Sequence, residues 1–162
     1  MQSSFRERLL EHAFVFAVLE EAWTRRTVVD VLRPEVDAGI DIVLECEGAI
    51  RHVQLKTTRR GSKVARQLVS TALSTKPAGC VVWLDFDEDE EGHLHLAYRF
   101  LGGPVGQPLA LEGLRIAKHS RGDAQGVKHE RPAVRVVPAG RFERVADVRA
   151  LFDLLFDWKE GD

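Results

Sequence analysis

Along the 162 residues, hydrophobic positions recur with two periods, and the changes of period mark out the elements. Leu9, Leu10, Ala13, Phe14, Ala17 and Val18 recur at helical intervals behind Ser4 and Glu7, which have capping-box spacing; this predicts a first helix over about residues 4–22. Val15, Phe16 and Leu19 fill the gaps in that stripe, which predicts a second half that is apolar almost all round and packed on more than one side. Glu11 and His12 are its polar exceptions. The segment TVVDVL, residues 27–32, is β-branched and apolar up to the stop at Pro34 and reads as a short strand. Ile40, Ile42, Leu44 and Cys46 then alternate with Asp41, Val43 and Glu45, and Glu47-Gly48 supplies a turn into residues 51–57, so this stretch reads as a hairpin.

Past a polar loop at residues 58–62, Val64, Leu68, Val69, Ala72 and Leu73 recur at helical spacing up to Pro77, predicting a second helix over about residues 63–75. GCVVWLDF, residues 79–86, is a continuous apolar run of the kind buried on both faces of a sheet. The acidic run DEDEEG then reads as a solvated hairpin loop leading into HLHLAYRF, and LGGPVGQP at 101–108 as an irregular connection. Residues 111–131 are ambiguous: LRIAKH suits a strand or a short helical turn, and HSRGDAQGVKHER is a polar, basic loop. Residues 133–137 predict the last strand, and 147–158 a closing helix with Val148, Leu151, Phe152 and Leu155 inward. No internal repeat interrupts this order.

Composition narrows the class. With 44% hydrophobic and 30% charged residues the chain has an ordinary globular composition, from which an α/β or α+β unit is expected, and its length suits a single domain over residues 1–162. A net charge of −2 argues against coating nucleic acid by bulk electrostatics, although a local basic patch could still follow phosphates. Cys46 and Cys80 each sit in a strand-like run; one disulfide remains open, but a reducing cytoplasm is the simpler reading. The longest apolar run of the first helix, residues 13–19, is too short to span a bilayer and is flanked by Glu11, Glu20 and Glu21, so no membrane role is expected.

The hairpin carries the candidate chemistry. With a two- or four-residue connection, Cys46 faces Ala49 and Asp41 comes opposite Gln54, with Lys56 two places along on the same face; a three-residue connection would instead set Asp41 across from Val53 or Leu55. A carboxylate oxygen from Asp41, the amide oxygen of Gln54 and the Leu55 carbonyl are hard ligands suited to Mg²⁺ or Mn²⁺. Such an ion lowers the pKa of a bound water, while the Lys56 ammonium orients that water or offsets charge on phosphorus.

An N-terminal helix bearing Glu11, DAGID around Asp41, and QLK from Gln54 to Lys56 thirteen residues later together resemble the PD-(D/E)XK nuclease superfamily. The likeness is strongest to Mrr-type and related domains with Gln at the first position of the tripeptide. It covers about residues 4–100 and leaves about residues 109–162 as a C-terminal strand and helix extension. The resemblance implies a restriction-endonuclease-like core, a mixed central sheet flanked by helices, and a Mg²⁺-dependent endonuclease acting on DNA in a bacterial defence or mobile-element context. On this reading Asp41, Gln54, Lys56 and Glu11 are catalytic, and Asp41, Gln54, the Leu55 carbonyl and Glu11 hold the metal, while Asp37 and Gly39 form the lead-in. Gln54 departs from the usual carboxylate and binds metal more weakly. The implied partners are DNA and either a second copy or another protein. The competing reading is a catalytically weak or inactive module of the same fold, binding nucleic acid or a partner within a larger assembly.

Arg59, Arg60, Lys63 and Arg66 run on from Lys56 and suit sequence-independent phosphate contact. A second basic segment holds Lys118, His119, Arg121, Lys128, His129 and Arg131; nucleic-acid binding and an ordinary polar loop are both open for it. His93 and His95 share a strand face without a third ligand, which makes them exposed strand residues. Trp23, Trp83 and Trp158 are expected as core anchors. Ser and Cys nucleophile motifs and phosphate-binding glycine loops are absent.

Overall fold

The computed structural model describes residues 3–36 and 39–159. Among these, α1 (Ser3–Thr24) is followed by β1 (Asp30–Leu32), β2 (Ile42–Cys46), β3 (Ala49–Arg59), β4 (Arg66–Ser70), β5 (Gly79–Glu88) and β6 (Leu94–Gly102). The chain closes with β7 (Ile116–Lys118), β8 (Glu130–Pro138), β9 (Glu143–Val145) and α2 (Val148–Phe156). Six strands form a mixed sheet in the order β1-β2-β3-β5-β6-β9, in which only β3 and β5 are parallel. A second, antiparallel sheet is ordered β4-β8-β7.

The β2–β3 hairpin forms with the two-residue turn. Glu47 (φ 50°) and Gly48 (φ 85°) both take left-handed conformations, the geometry that matches the twist of a tight hairpin, and Cys46 pairs with Ala49. The Glu47 carboxylate accepts from Thr27 Oγ1 at 2.7 Å, which ties the turn to the chain before β1.

Every side chain of β5 from Gly79 to Phe86 is buried, as its apolar run predicts. One face packs under α1 and α2, where Cys80, Val82 and Leu84 meet Leu10, Phe14 and Val18 of α1 and Leu151, Phe152 and Leu155 of α2. The other face, with Val81 and Trp83, meets Val69 of β4, Val137 of β8 and Leu73, Leu109, Leu111 and Phe142. The mixed central sheet is therefore present, but the helices cover one face only and a second sheet covers the other.

That arrangement corrects the second helix expected over residues 63–75. Its place is taken by β4 and a 3-10 turn, Thr71–Thr75. Val69 and Leu73 reach the core in either conformation, so their spacing does not discriminate; antiparallel pairing of Arg66–Ser70 with Val134–Pro138 does, by satisfying the strand backbone. Ser70 Oγ then accepts from Ala72 N and starts the turn. The last strand is β9 rather than residues 133–137, which belong to β8.

The expectation for α1 also needs correction. The helix forms, but it buries a single stripe, Leu10, Phe14, Val18 and Ala22, and leaves Phe16 64% and Trp23 72% exposed. Trp23 is no core anchor. Trp83 is fully buried, with Arg99 stacked 3.9 Å from its ring centroid and Phe142 at its edge, and Trp158 is half-buried against Phe152.

α2 is docked by polar contacts at both ends. Asp147 caps its N-terminus by accepting from Ala150 N. At its C-terminus the fully buried Arg51 of β3 donates to the carbonyls of Leu154 and Leu155 and to that of Gly103, at 2.6–2.8 Å. Arg25 adds a second clamp between the helices, bonding Glu21 and Asp153 and lying over the Phe152 ring.

The loops at the tips of β5–β6 and β7–β8 share one construction. Asp89 accepts from the amides of Glu91 and His93 and contacts the His95 ring, while Asp123 accepts from the amides of Gln125 and Val127 and contacts the His129 ring. The basic segment at 119–131 is thus a closed hairpin, and His93 and His95 are exposed as expected. Both cysteines are free and buried, and burial pushes the Cys80 thiol up to about 12. Among the described residues no helix is long and apolar enough to cross a membrane.

Two outcomes follow. Arg51→Met leaves three carbonyls without their donor and should lower unfolding stability by about 3 kcal/mol in denaturant titrations. Because burial holds Cys80 protonated, alkylation of native protein at pH 8 should leave that thiol unmodified until denaturant is added, as peptide mass mapping would read.

Candidate functional site

A cleft of about 490 Å³ opens where the first two turns of α1 pass the end of the β2–β3 hairpin. Asp41, Lys56, Glu7 and Glu11 line it, together with Leu55 and Gln67. Three of the four sequence-predicted catalytic residues, Asp41, Lys56 and Glu11, therefore come together from three different elements. Asp37 of the expected lead-in lies outside the described residues.

The hairpin ladder runs regularly from Cys46 with Ala49 to Ile42 with Val53. One step further, where Asp41 is expected across from Gln54, the bonding changes. Asp41 N donates to Val53 O at 2.9 Å, and the Asp41 Oδ2 accepts from Leu55 N at 2.7 Å. The carboxylate is thereby held against β3, at the lip of the cleft.

Gln54 goes elsewhere. It is 8% exposed, does not line the cleft, and its Oε1 accepts from Ser70 N at 3.3 Å. Gly39 (φ 76°) fits against this pair; a Cβ there would collide with the Ser70 side chain and crowd the Gln54 amide. Gln54 thus ties β3 to the end of β4, and its expected place as a metal ligand is not what this geometry presents.

Lys56 is half-buried on β3, and burial pushes its ammonium below the ordinary lysine range; Asp41 works against this shift, and Arg131 adds to it. Thr58, two residues on, accepts from Trp83 Nε1 at 2.9 Å, so the site strand is anchored on the buried indole. Glu11 takes an ion pair from Arg33, whose guanidinium approaches Oε1 to 2.8 Å.

Among the described residues no three His, Cys, Asp or Glu side chains converge closely enough to hold a metal ion. The donors that line the cleft are nonetheless hard oxygens of the kind Mg²⁺ takes. That ion commonly binds through one or two carboxylates and completes its shell with water and substrate phosphate. Asp41 and Glu11, with the Leu55 carbonyl, fit it in kind.

The first basic cluster divides. Arg59 and Arg60 lie 3.7 Å from Glu88 and Asp87, which offset their charge, and Lys63 is exposed. Arg66 instead lines a second cleft, of about 710 Å³, with Lys56, Arg115, Lys118, His119 and Lys128. No carboxylate lines it, and Lys56 and Gln67 line both clefts, so the two adjoin at these side chains. Sequence reasoning had flagged Lys118, His119 and Lys128 without joining them to Lys56, and it missed Arg115. No periodicity marks Arg115: it precedes β7, whose alternation sets Ile116 and Lys118 on the face opposite the buried Ala117.

Comparison with known proteins returns no matching family model, no matching curated protein and no matching solved structure.

The mutual placement of Asp41 and Lys56 is testable by NMR of ¹³Cε-labelled lysine. Lys56 should titrate below ordinary lysines; Asp41→Asn should move it further down and Arg131→Ala should move it up. Because its folded pKa lies below the unfolded value, the folded state holds fewer protons in that interval, and this group's contribution to stability rises as pH climbs through it. An unmoved titration in Asp41→Asn would show that the two side chains do not interact.

Proposed function

We propose that this protein is a metal-dependent phosphodiesterase of PD-(D/E)XK type, acting on nucleic acid and in the first instance on DNA. The observation that carries the reading is that the two clefts adjoin at Lys56. A cleft lined by Asp41, Glu7 and Glu11, with Arg8, lies beside a groove lined by five further basic or histidine side chains and no carboxylate. A polyanion lying along the groove would bring a phosphodiester to the acidic end, which is the juxtaposition hydrolysis needs.

The residues then divide the work. Asp41, the Leu55 carbonyl and Glu11 would hold Mg²⁺ or Mn²⁺, and Glu7 lines the same cleft. The ion, when bound, supplies Lewis acidity toward the phosphate and lowers the pKa of a water. Lys56, whose ammonium burial pushes below the ordinary lysine range while Asp41 works against that shift, would orient the attacking water and offset negative charge gathering on the phosphoryl oxygens. Arg66, Arg115, Lys118 and Lys128 hold the flanking phosphates.

A second reading has an observation of its own. Gln54 is committed to Ser70 N and Glu11 to Arg33, so two of the four expected ligands serve the fold. This favours a nucleic-acid-binding module in which the nuclease chemistry is weak or lost.

Incubation of the purified protein with plasmid, single-stranded DNA and RNA in Mg²⁺ or Mn²⁺ separates the two. The nuclease reading expects cleavage that falls about 100-fold or more in Asp41→Ala and Lys56→Ala. Equal cleavage by wild type and both variants would sink the site. Salt-sensitive binding without cleavage would establish the second reading.

A further inference from the structure

α1 is apolar on two opposite faces. Leu10, Phe14, Val18 and Ala22, four residues apart, are buried against the sheet. On the outward side, Phe5, Leu9, His12, Phe16, Leu19 and Trp23 follow one another at steps of four, three, four, three and four. All six are exposed, and five are large hydrophobics. That step pattern is the a/d seam of a coiled coil, in which knobs from one helix enter holes on another. At 100° per residue the two stripes lie roughly opposite each other, so no rotation of α1 on its own sheet could bury both.

We infer that this outer seam is a homodimer interface in which two copies of α1 pack antiparallel about a two-fold axis near residue 14. The occupant is a second copy of this chain, and two features of the seam point to it. The first is its symmetry. Phe5 and Trp23, Leu9 and Leu19, and His12 and Phe16 are each equidistant from position 14. A two-fold there sets Phe5 against Trp23 of the second copy, Leu9 against Leu19 and His12 against Phe16, six layers each filled by two large side chains. An isologous interface requires a seam that meets itself in register, and this one does.

The second feature is charge. Arg6 and Glu20 flank the seam on the same edge, both exposed. In antiparallel packing residues on the same edge of the two helices face each other, which brings Arg6 to Glu20 of the second copy twice, once at each end. In parallel packing Glu20 would face Val15, and Arg6 would meet no carboxylate. Opposite charges beside the seam set orientation as well as partner.

The inference rests on this helix face alone and stands or falls apart from the phosphodiesterase reading. It does touch the cleft. Ser4, Glu7, Arg8 and Glu11 line the cleft from the same helix; Glu7 and Glu11 lie on the side turned away from the seam, and Arg8 borders it beside Leu9. The two clefts of the dimer lie one toward each end of the helix pair, with Arg8 between cleft and interface.

Sedimentation of the full chain from roughly 1 to 200 µM should show a monomer–dimer equilibrium. Phe16→Glu and Trp23→Glu should weaken it at least tenfold, with circular dichroism unchanged because both residues are exposed in the monomer. Arg6→Glu and Glu20→Arg should each weaken the dimer, and the double charge swap should restore it. Under oxidation, Leu9→Cys with Leu19→Cys should give covalent dimers quickly. Leu9→Cys alone should not, because antiparallel copies hold those positions about 15 Å apart along the axis. A chain that stays monomeric throughout overturns the inference and leaves the seam to a different protein. So does a dimer indifferent to Phe16→Glu and Trp23→Glu, and rapid cross-linking of Leu9→Cys alone overturns the antiparallel arrangement.

Discussion

β5 has no face for water. A strand whose side chains are all buried from Gly79 to Phe86 must be covered twice, and its parallel neighbour β3 can be reached only by a crossover that leaves the sheet and returns. The two demands are met together. The crossover, residues 60–78, carries β4, and β4 recruits β8 and β7 to roof the face that the helices leave bare. What makes the site possible is a by-product of that route. The chain leaves β3 immediately after Lys56, Thr57 and Thr58, so these residues stand at the margin where the helical layer, the central sheet and the second sheet meet. The acidic cleft forms against the helix, and the basic groove forms against the second sheet.

Two guanidinium groups hold the structure together in different ways. The buried Arg51 reaches carbonyls at the end of α2 and at Gly103, linking the sheet to the helical layer, while Arg99 of β6 pairs with Asp85 and lies over Trp83, both on β5, within the central sheet. A hydrophobic side chain of similar volume could satisfy none of these acceptors. The Trp83 indole in turn donates to Thr58, so the strand bearing Lys56 is connected to the interior two residues beyond that side chain.

Much of this was legible. Glu47-Gly48 pointed to the hairpin, and the two-residue turn with two left-handed residues sets Cys46 against Ala49. Asp147 and the stripe from Val148 to Leu155 pointed to α2. Asp41 and Lys56 came from the hairpin spacing and Glu11 from the family resemblance, and all three line one cleft. What was not legible depended on partners distant in the chain. Val64, Leu68, Val69 and Leu73 have good helical spacing, and only β8, some seventy residues on, makes β4 a strand. The turning of Gln54 toward Ser70, and the ion pair between Glu11 and Arg33, belong to the same class: local pattern shows that a polar side chain is present, but not which competitor takes it. In α1 the pattern correctly showed apolar residues all round, yet it could not say that one face would remain uncovered within the monomer.

The Asp123 turn bears on the energetics of recognition. Its carboxylate satisfies the amides of Gln125 and Val127 and engages His129, so the arm carrying Lys118, His119 and Lys128 has its backbone arranged by seven residues of its own. A ligand arriving at that arm meets a preorganised surface. The entropy of ordering the loop has already been lost on folding and is not subtracted again at association, so long-range attraction can be converted into a bound complex without a slow rearrangement.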